Sequence, residues 1–274
     1  MAERDDKAGQ AYWDGAWRDR PLPPRFDPEA THLTACVDRG FDRFFQRAFA
    51  GVAPREGALV EVGCGASVLL PYFGRRFGFS LAGVDYSPDG VDQSRALLAR
   101  EGVEGDVRQG DLFSPPDDLL GRFDVVFSLG LVEHFTDAPG CLRALARLAR
   151  PGGRVVTVIP NLAGAIGAVQ KVLDRSVYDV HVPHDRESLR EAHAAAGLTV
   201  TSAEYLLTVN FGVLNVSRLR PSPRALLARA AMRVLVDASR AVWRYESLAG
   251  ELTPRRGLSP YVCVVARVGE SARS

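Results

Sequence analysis

No stretch of this 274-residue chain approaches the run of roughly 18 to 20 apolar residues that a membrane span requires. Its opening, MAERDDKAGQ, is charged and has no apolar segment of the kind an export signal needs, so a soluble, cytoplasmic protein is expected. Charge of one sign is also missing. Lys and Arg total 34 against 33 Asp and Glu, which leaves no global field to recruit nucleic acid. The four cysteines, Cys36, Cys64, Cys141 and Cys263, show no CxxC spacing; that suits neither a zinc site nor a dense disulfide framework and fits a reducing compartment. Internal repeats and low-complexity tracts are lacking too. What remains is enough chain for one large α/β domain with a substantial core and some inserted pieces, and a small molecule as the expected partner.

The apolar pattern gives that domain an order. A short helix over 12–17 and the Pro-rich connection PLPPRFDP precede a helix over 31–50, where Leu33, Val37, Phe41, Phe44, Phe45 and Ala48 recur at three and four. Short apolar runs then alternate with amphipathic ones: ALVEV and a helix over 67–77, SLAGVD and a helix over 88–100, VRQGD, FDVVFSLG and a helix over 138–150. Pro151-Gly152-Gly153 reads as a stop before the strand RVVTVIP. Such alternation implies parallel strands with crossover helices. Asp185 reads as the N-cap of a helix running to Ala196, with Ser188 in its first turn and Gly197 as its stop. A strand over 199–209, a long helix over 222–250 and a final strand in SPYVCVVARV complete the pattern.

In LVEVGCG an apolar strand ends in a turn where Gly63 and Gly65 permit close backbone approach to a ligand. The third glycine of a dinucleotide fingerprint would fall at Val68, so no pyrophosphate cradle is implied. Asp85 ends the second strand, 20 residues after Gly65, where a carboxylate can accept from two ribose hydroxyls. Its plain alternative is an N-cap for the following helix. Tyr86 could stack on adenine. Asp111 could accept from an adenine amino group under a covering Leu112, or serve as a turn Asp.

VEVGCG, GVDYSP, GDLF, FDVVFSLGLVEHF and LARPGGRVVTVIPN resemble, in order and spacing, the successive motifs of class I S-adenosylmethionine-dependent methyltransferases of the small-molecule type, the group that includes the ubiquinone and menaquinone enzymes. The resemblance covers about residues 55 to 160 well. It implies an α/β, Rossmann-like, seven-stranded and mostly parallel sheet with a reversed final strand, helices on both faces, and S-adenosyl-L-methionine as cofactor, leaving S-adenosyl-L-homocysteine. It also implies that Glu61, Gly63, Cys64 and Gly65 form the first cofactor motif, with Glu61 near the methionine amino group. Asp85 and Tyr86 would then hold ribose and adenine, Asp111 and Leu112 adenine, and Ser128 and Leu129 the methionine moiety, with His134 in the element that follows.

A sulfonium methyl is already activated, so alignment and exclusion of water can suffice for an amine, whereas a hydroxyl acceptor benefits from a general base. Tyr178, His181 and His184 group titratable side chains after the fifth strand; a polar loop is the plain alternative, and the spacing supports no metal site. His134 could act as a base or fix its loop. Trp13 and Trp17, four apart, share a helix face and could close over the acceptor or pack on the domain. Asn210 and Asn215 could orient a polar acceptor. On the long helix, Arg229, Arg233, Arg240 and Arg244 form one stripe and Leu227, Val234 and Leu235 an opposing, core-facing one.

The chain therefore divides into an N-terminal helical cap (1–50), a cofactor-binding core (51–210), a helical insertion on the acceptor side or at a dimer contact (211–258), and a last strand with tail (259–274). Its expected role is methyl transfer to a small molecule in specialised or cofactor metabolism, with the N, O, S or C acceptor atom open. The basic helix leaves an anionic membrane surface, and with it a lipid or quinone acceptor, as a rival, and the insertion leaves a homodimer. A nicotinamide-dependent oxidoreductase is the second alternative.

Overall fold

The computed structural model describes residues 6–18, 20–52, 57–216 and 219–270. Seven strands form one sheet: β1 (Ala58–Val62), β2 (Ser80–Asp85), β3 (Asp106–Gln109), β4 (Phe123–Leu129), β5 (Ala149–Pro160), β6 (Thr199–Leu206) and β7 (Tyr261–Arg267). Their order is β3-β2-β1-β4-β5-β7-β6. The first five are parallel, and β7 runs antiparallel between β5 and β6. This is the reversed strand the sequence reading expects.

The period of two along the strands splits their side chains between two cores. Leu59, Val125, Phe127, Val156, Val158, Cys263 and Val265 face one side with Phe41, Phe44, Phe45, Leu70 and Phe73, from α2 (Ala35–Ala48) and α3 (Leu69–Phe77). Val60, Val126, Val155, Ile159, Val262 and Val264 face the other, against Leu142, Leu145 and Leu189 of α5 (Ala138–Ala146) and α8 (Arg186–Ala195). α2 is thus a layer of the core rather than part of a cap. The N-terminal addition over the domain is the segment around α1 (Gln10–Trp17), which packs on α4 (Pro88–Glu101).

Two element boundaries differ from expectation. α5 stops at Ala146 because Arg147 and Leu148 turn the chain, so that Ala149 pairs with Phe123; the Pro-Gly-Gly lies inside β5, at a register shift where Gly152 has φ +72°. β6 stops at Leu206 because Leu207 has φ +64°, which bends the backbone out of the sheet. The capping of α8 is as expected: Ser188 N–H donates to Asp185 at 2.9 Å and Asp185 N–H donates back to the Ser188 hydroxyl at 3.0 Å.

Between β5 and α8 lie α6 (Ala165–Leu173) and α7 (Arg175–Asp179), and between β6 and β7 lies α9 (Pro223–Ala249). These helices share a third, smaller core that includes Ile166, Leu173, Leu214 and Ala228. α9 is rotated from the expected setting. The Trp243 indole donates to Val209 O at 2.8 Å and the Ser239 hydroxyl accepts from Phe211 N at 2.9 Å, so Ala225, Ala228, Ser239 and Trp243 face inward. Leu227 and Val234, expected in the core, are 71% and 69% exposed. No helix among the described residues is long and apolar enough to cross a membrane.

Candidate functional site

A cavity of about 410 Å³ opens at the carboxyl ends of β1, β2 and β4, where an open α/β sheet leaves room between its loops. Glu61, Gly63, Gly65, Asp85, Tyr86, Asp111, Leu112, Leu129 and His134 all line it, as do Trp13 and Trp17. Gly63 has φ +73°, a conformation that only glycine adopts freely. A Cβ on Gly65 would lie 2.5 Å from Trp17 Nε1 and 3.0 Å from Asp85 Oδ2. The turn after β1 is therefore a backbone-walled cradle.

Asp85 is not the cap of α4. Ser87 takes that role, its hydroxyl accepting from Gly90 N. The Asp85 carboxylate instead accepts from Gly65 N and Ser87 N, both at 2.8 Å, which fixes it at the pocket wall. Burial raises its acid while these two amides lower it. Asp111 accepts from Phe113 N at 3.0 Å, a turn geometry that coexists with its place in the lining.

Glu61 is fully buried, and desolvation pushes its carboxyl up to about 8 against a lowering hydrogen bond from Ser67. Its Oε2 has no hydrogen-bond partner. A buried carboxylate oxygen without a partner is costly. This one, in the lining of a cavity, fits a ligand that brings a cation to it, and Asp85 beside the glycine cradle fits one that also carries a diol.

His134 sits where the 3-10 turn after β4 meets the pocket, buried, with Nδ1 at 2.9 Å from Val180 O. That contact makes Nδ1 the donor and leaves the Nε2 lone pair available. Desolvation, with help from nearby His181, holds its acid down at about 4. Trp13 meets the His134 ring edge-on at 5.2 Å and stacks on Trp17 at 5.7 Å. The strand-like contact of Asp6 with Phe135, the Lys7 N to His134 O bond (2.9 Å) and the Ser87 hydroxyl to Asp14 bond (2.6 Å) tie residues 6–18 across the cavity.

Several expected site residues lie elsewhere. Cys64 points into the core, where its Sγ occupies the space beside Gly83, because the turn sends alternate side chains inward. Ser128 is buried with an unpartnered hydroxyl but is not in the lining, since it alternates with Leu129, which is. Tyr178 packs in the third core with Lys171 Nζ 5.4 Å from its ring. His184 lies beyond the pocket, beside the α8 start. Asn210 accepts from Gly212 N in a turn, and Asn215 exchanges backbone hydrogen bonds with the Gln170 side chain. His181 stands behind the pocket, its ring 4.5 Å from that of His134 and its Nδ1 at 2.6 Å from Val177 O. It does not group with His184; one ligand-capable atom each from Glu133, His134 and His181 lies within 4.8 Å of the others.

Sequence reasoning passed over Asp6, Arg20, Ser67, Phe113, Leu131 and Phe135, which also line the cavity. Leu131 and Phe135 carried a signal, being apolar residues just past a strand end that no helix or strand needed.

A family model described as a methyltransferase domain matches residues 33–203. Ubiquinone biosynthesis O-methyltransferase of Methylobacterium nodulans is 30% identical over 207 residues, covering 72% of this chain and 80% of that protein. The protein of the same name from Pseudomonas paraeruginosa is 32% identical over 138 residues, 47% of this chain and only 58% of its own length. Among solved structures, geranyl diphosphate C-methyltransferase from Streptomyces coelicolor superposes with a TM-score of 0.58 at 18% identity, over 97% of this chain and 98% of that one. A likeness at that identity speaks for the fold and not for the acceptor.

Proposed function

Because this chain belongs to the methyltransferase family that matches residues 33–203, we propose that it methylates a hydroxyl oxygen on an apolar, ring-bearing small molecule. It is an S-adenosylmethionine-dependent methyltransferase of small molecules. The observation that carries the assignment of residues is the unpartnered, buried Oε2 of Glu61 in the pocket lining. An ammonium group beside it supplies the missing cation and draws its raised acid back down. Asp85 would accept from the ribose hydroxyls, Tyr86, Asp111 and Leu112 would hold the adenine, and Leu129 and Gly130 the methionine chain. When bound, the cofactor supplies a methyl group activated by its sulfonium.

The chain's remaining work is to align the acceptor, exclude water and take a proton. Trp13, Phe113, Leu131 and Phe135 give the acceptor flat and apolar walls. His134, neutral at any pH well above about 4, offers Nε2 to the acceptor hydroxyl, its ring oriented by Val180 O with the His181 ring packed behind it. The hydroxyl reading draws support from the relatives named O-methyltransferase and from an acceptor nitrogen of histidine in the lining. The test is methyl transfer from labelled cofactor to matched phenol and aniline acceptors. Labelled phenol ether with no labelled aniline is the expected result; the reverse would replace the hydroxyl reading, and label in neither with S-adenosylhomocysteine still bound would remove the ring-bearing acceptor.

A further inference from the structure

We propose that the outward face of α9 seats this protein on an anionic lipid bilayer surface. The inward face is fixed by Ala225, Ala228, Ser239 and Trp243. At 100° per residue the opposite arc carries Leu226, Leu227, Val234, Tyr245 and Leu248, which are 55% to 82% exposed. These five share the outward arc of a helix of 27 residues, about 40 Å at 1.5 Å each, together with Ala230, Ala241 and the Arg240-paired Asp237.

Arginines flank the strip. Arg229, Arg233, Arg240 and Arg244 fall within about 60° of one another on one side of it, and α9 has five arginines in all against two acids, Asp237 and Glu246. Neither acid is free to neutralise them: Asp237 pairs with Arg240 at 2.9 Å, and Glu246 accepts from Thr208. Arg229, Arg233 and Arg244 make no ion pair among the described residues. A helix with an apolar face bordered by arginines has the chemistry of one lying in the plane of an acidic membrane interface, strip in the acyl boundary and guanidinium groups at the phosphates.

A second copy of the chain is the competing occupant, and the charge pattern opposes it. In a two-fold antiparallel pairing each flank meets its own counterpart, arginines against arginines. A parallel pairing sets them against a flank with no unpaired acid. The bilayer also lies on a connected part of the molecule: α9 shares its core with Tyr178 of α7, the helix after which His181 meets His134.

The test is co-sedimentation of the full chain with vesicles of phosphatidylcholine alone or with about 30% phosphatidylglycerol, an acidic surface of the kind that attracts arginines. Binding to the acidic vesicles only, weakened by salt, is expected. Each of Arg229→Gln and Arg233→Gln should reduce the partition coefficient about fivefold, the equivalent of about 1 kcal/mol per arginine. Leu227→Ser with Val234→Ser should reduce it at least tenfold, from lost apolar burial. All variants should keep thermal stabilisation by S-adenosylhomocysteine, which shows that fold and pocket are intact and separates this test from that of the acceptor. Absence of binding, equal binding to neutral vesicles, or binding indifferent to these substitutions would overturn the proposal. So would a dimer in sedimentation that Val234→Asp dissolves.

Discussion

Residues 6–18 and residues 211–258 are both additions to the same sheet, and they are anchored in opposite ways. The first reaches the pocket through polar contacts to its wall: Asp14 to the Ser87 hydroxyl, Arg18 to Asp89, Lys7 N to His134 O. Its two indoles lie in the lining. The second is held by a small apolar core of its own and by the inward Trp243, and none of its described residues is in the lining, while Leu226, Leu227, Val234, Tyr245 and Leu248 face outward. A segment built to touch a ligand spends its aromatics inward on the cavity and its polar groups on the wall. The second segment packs Leu214 and Leu235 inward and leaves Leu226, Leu227 and Leu248 exposed, the face to which the membrane proposal assigns a role. Position in the chain therefore says less about a segment's role than the direction of its side chains.

The largest expected contrast between the two regions is in turnover. His134→Ala should lower the single-turnover rate by about 10² to 10⁴, the range for loss of a general base, whereas Asn215→Ala, at the base of the insertion, should leave it unchanged. Because His134 is held at about 4, the wild-type profile should be flat on its acid side down to about pH 5. An acid limb near the ordinary histidine value, abolished by His181→Ala, would transfer the role to His181.

Next in size is cofactor affinity. Asp85→Ala should weaken S-adenosylhomocysteine binding by about 1.5 to 3 kcal/mol by calorimetry, the worth of hydrogen bonds to a charged group. The same change leaves Gly65 N and Ser87 N without their partner, so Tm should also fall. Arg233→Gln on α9 should move neither. Equal losses from both would erase the distinction between a region that touches the ligand and one that does not.

Glu61 sharpens the comparison through pH. Its acid in the folded protein, about 8, lies above the ordinary 4.5, so between these values the folded state keeps a proton the unfolded chain has shed. Its contribution to stability is complete below about pH 4.5 and is lost as pH rises through 8. Glu61→Gln cannot ionise, so its stability relative to wild type should grow from pH 5 to pH 8 by more than about 1.4 kcal/mol, the worth of one pH unit. Denaturant titrations at the two pH values measure it, and a constant difference would show that Glu61 is ionised throughout.

The smallest effect should come from Val234→Ser. An exposed side chain away from caps and buried groups is worth within about 0.5 kcal/mol, so stability in vesicle-free buffer and turnover of a dissolved acceptor should both be unchanged. A loss of more than about 1 kcal/mol there would mean that the strip is covered by protein in solution.

Much of the sheet and of the cofactor wall was legible because local chemistry and fold agree there. ALVEV and SLAGVD are buried on both faces, and Gly63, Gly65 and Asp85 are at strand ends, where alternation forces them toward the loops. Legibility failed where a side chain's direction depends on packing. Cys64 and Ser128 stand beside true lining residues in sequence and point away from the cavity in space. The helical period of α9 was visible, but not its phase, which Trp243 and Ser239 set through partners more than 25 residues away. Asp6 had no signal at all, since only the fold lays its segment beside Phe135.

The place of β7 bears on how the polypeptide is made. It lies between β5 and β6 and is synthesised after both, so β6 has no neighbour in the sheet until 55 more residues, from Leu206 to Tyr261, have been added. At about 5 to 20 residues per second that wait is roughly 3 to 11 seconds, with the first five strands already able to assemble. A greasy strand held open that long on a ribosome would invite pairing with neighbouring nascent chains. β6 reads TVTSAEYL, with a glutamate, a serine and two threonines, and it ends as the edge of the finished sheet. The same polar side chains that blunt the edge of the mature protein guard the unfinished one during translation.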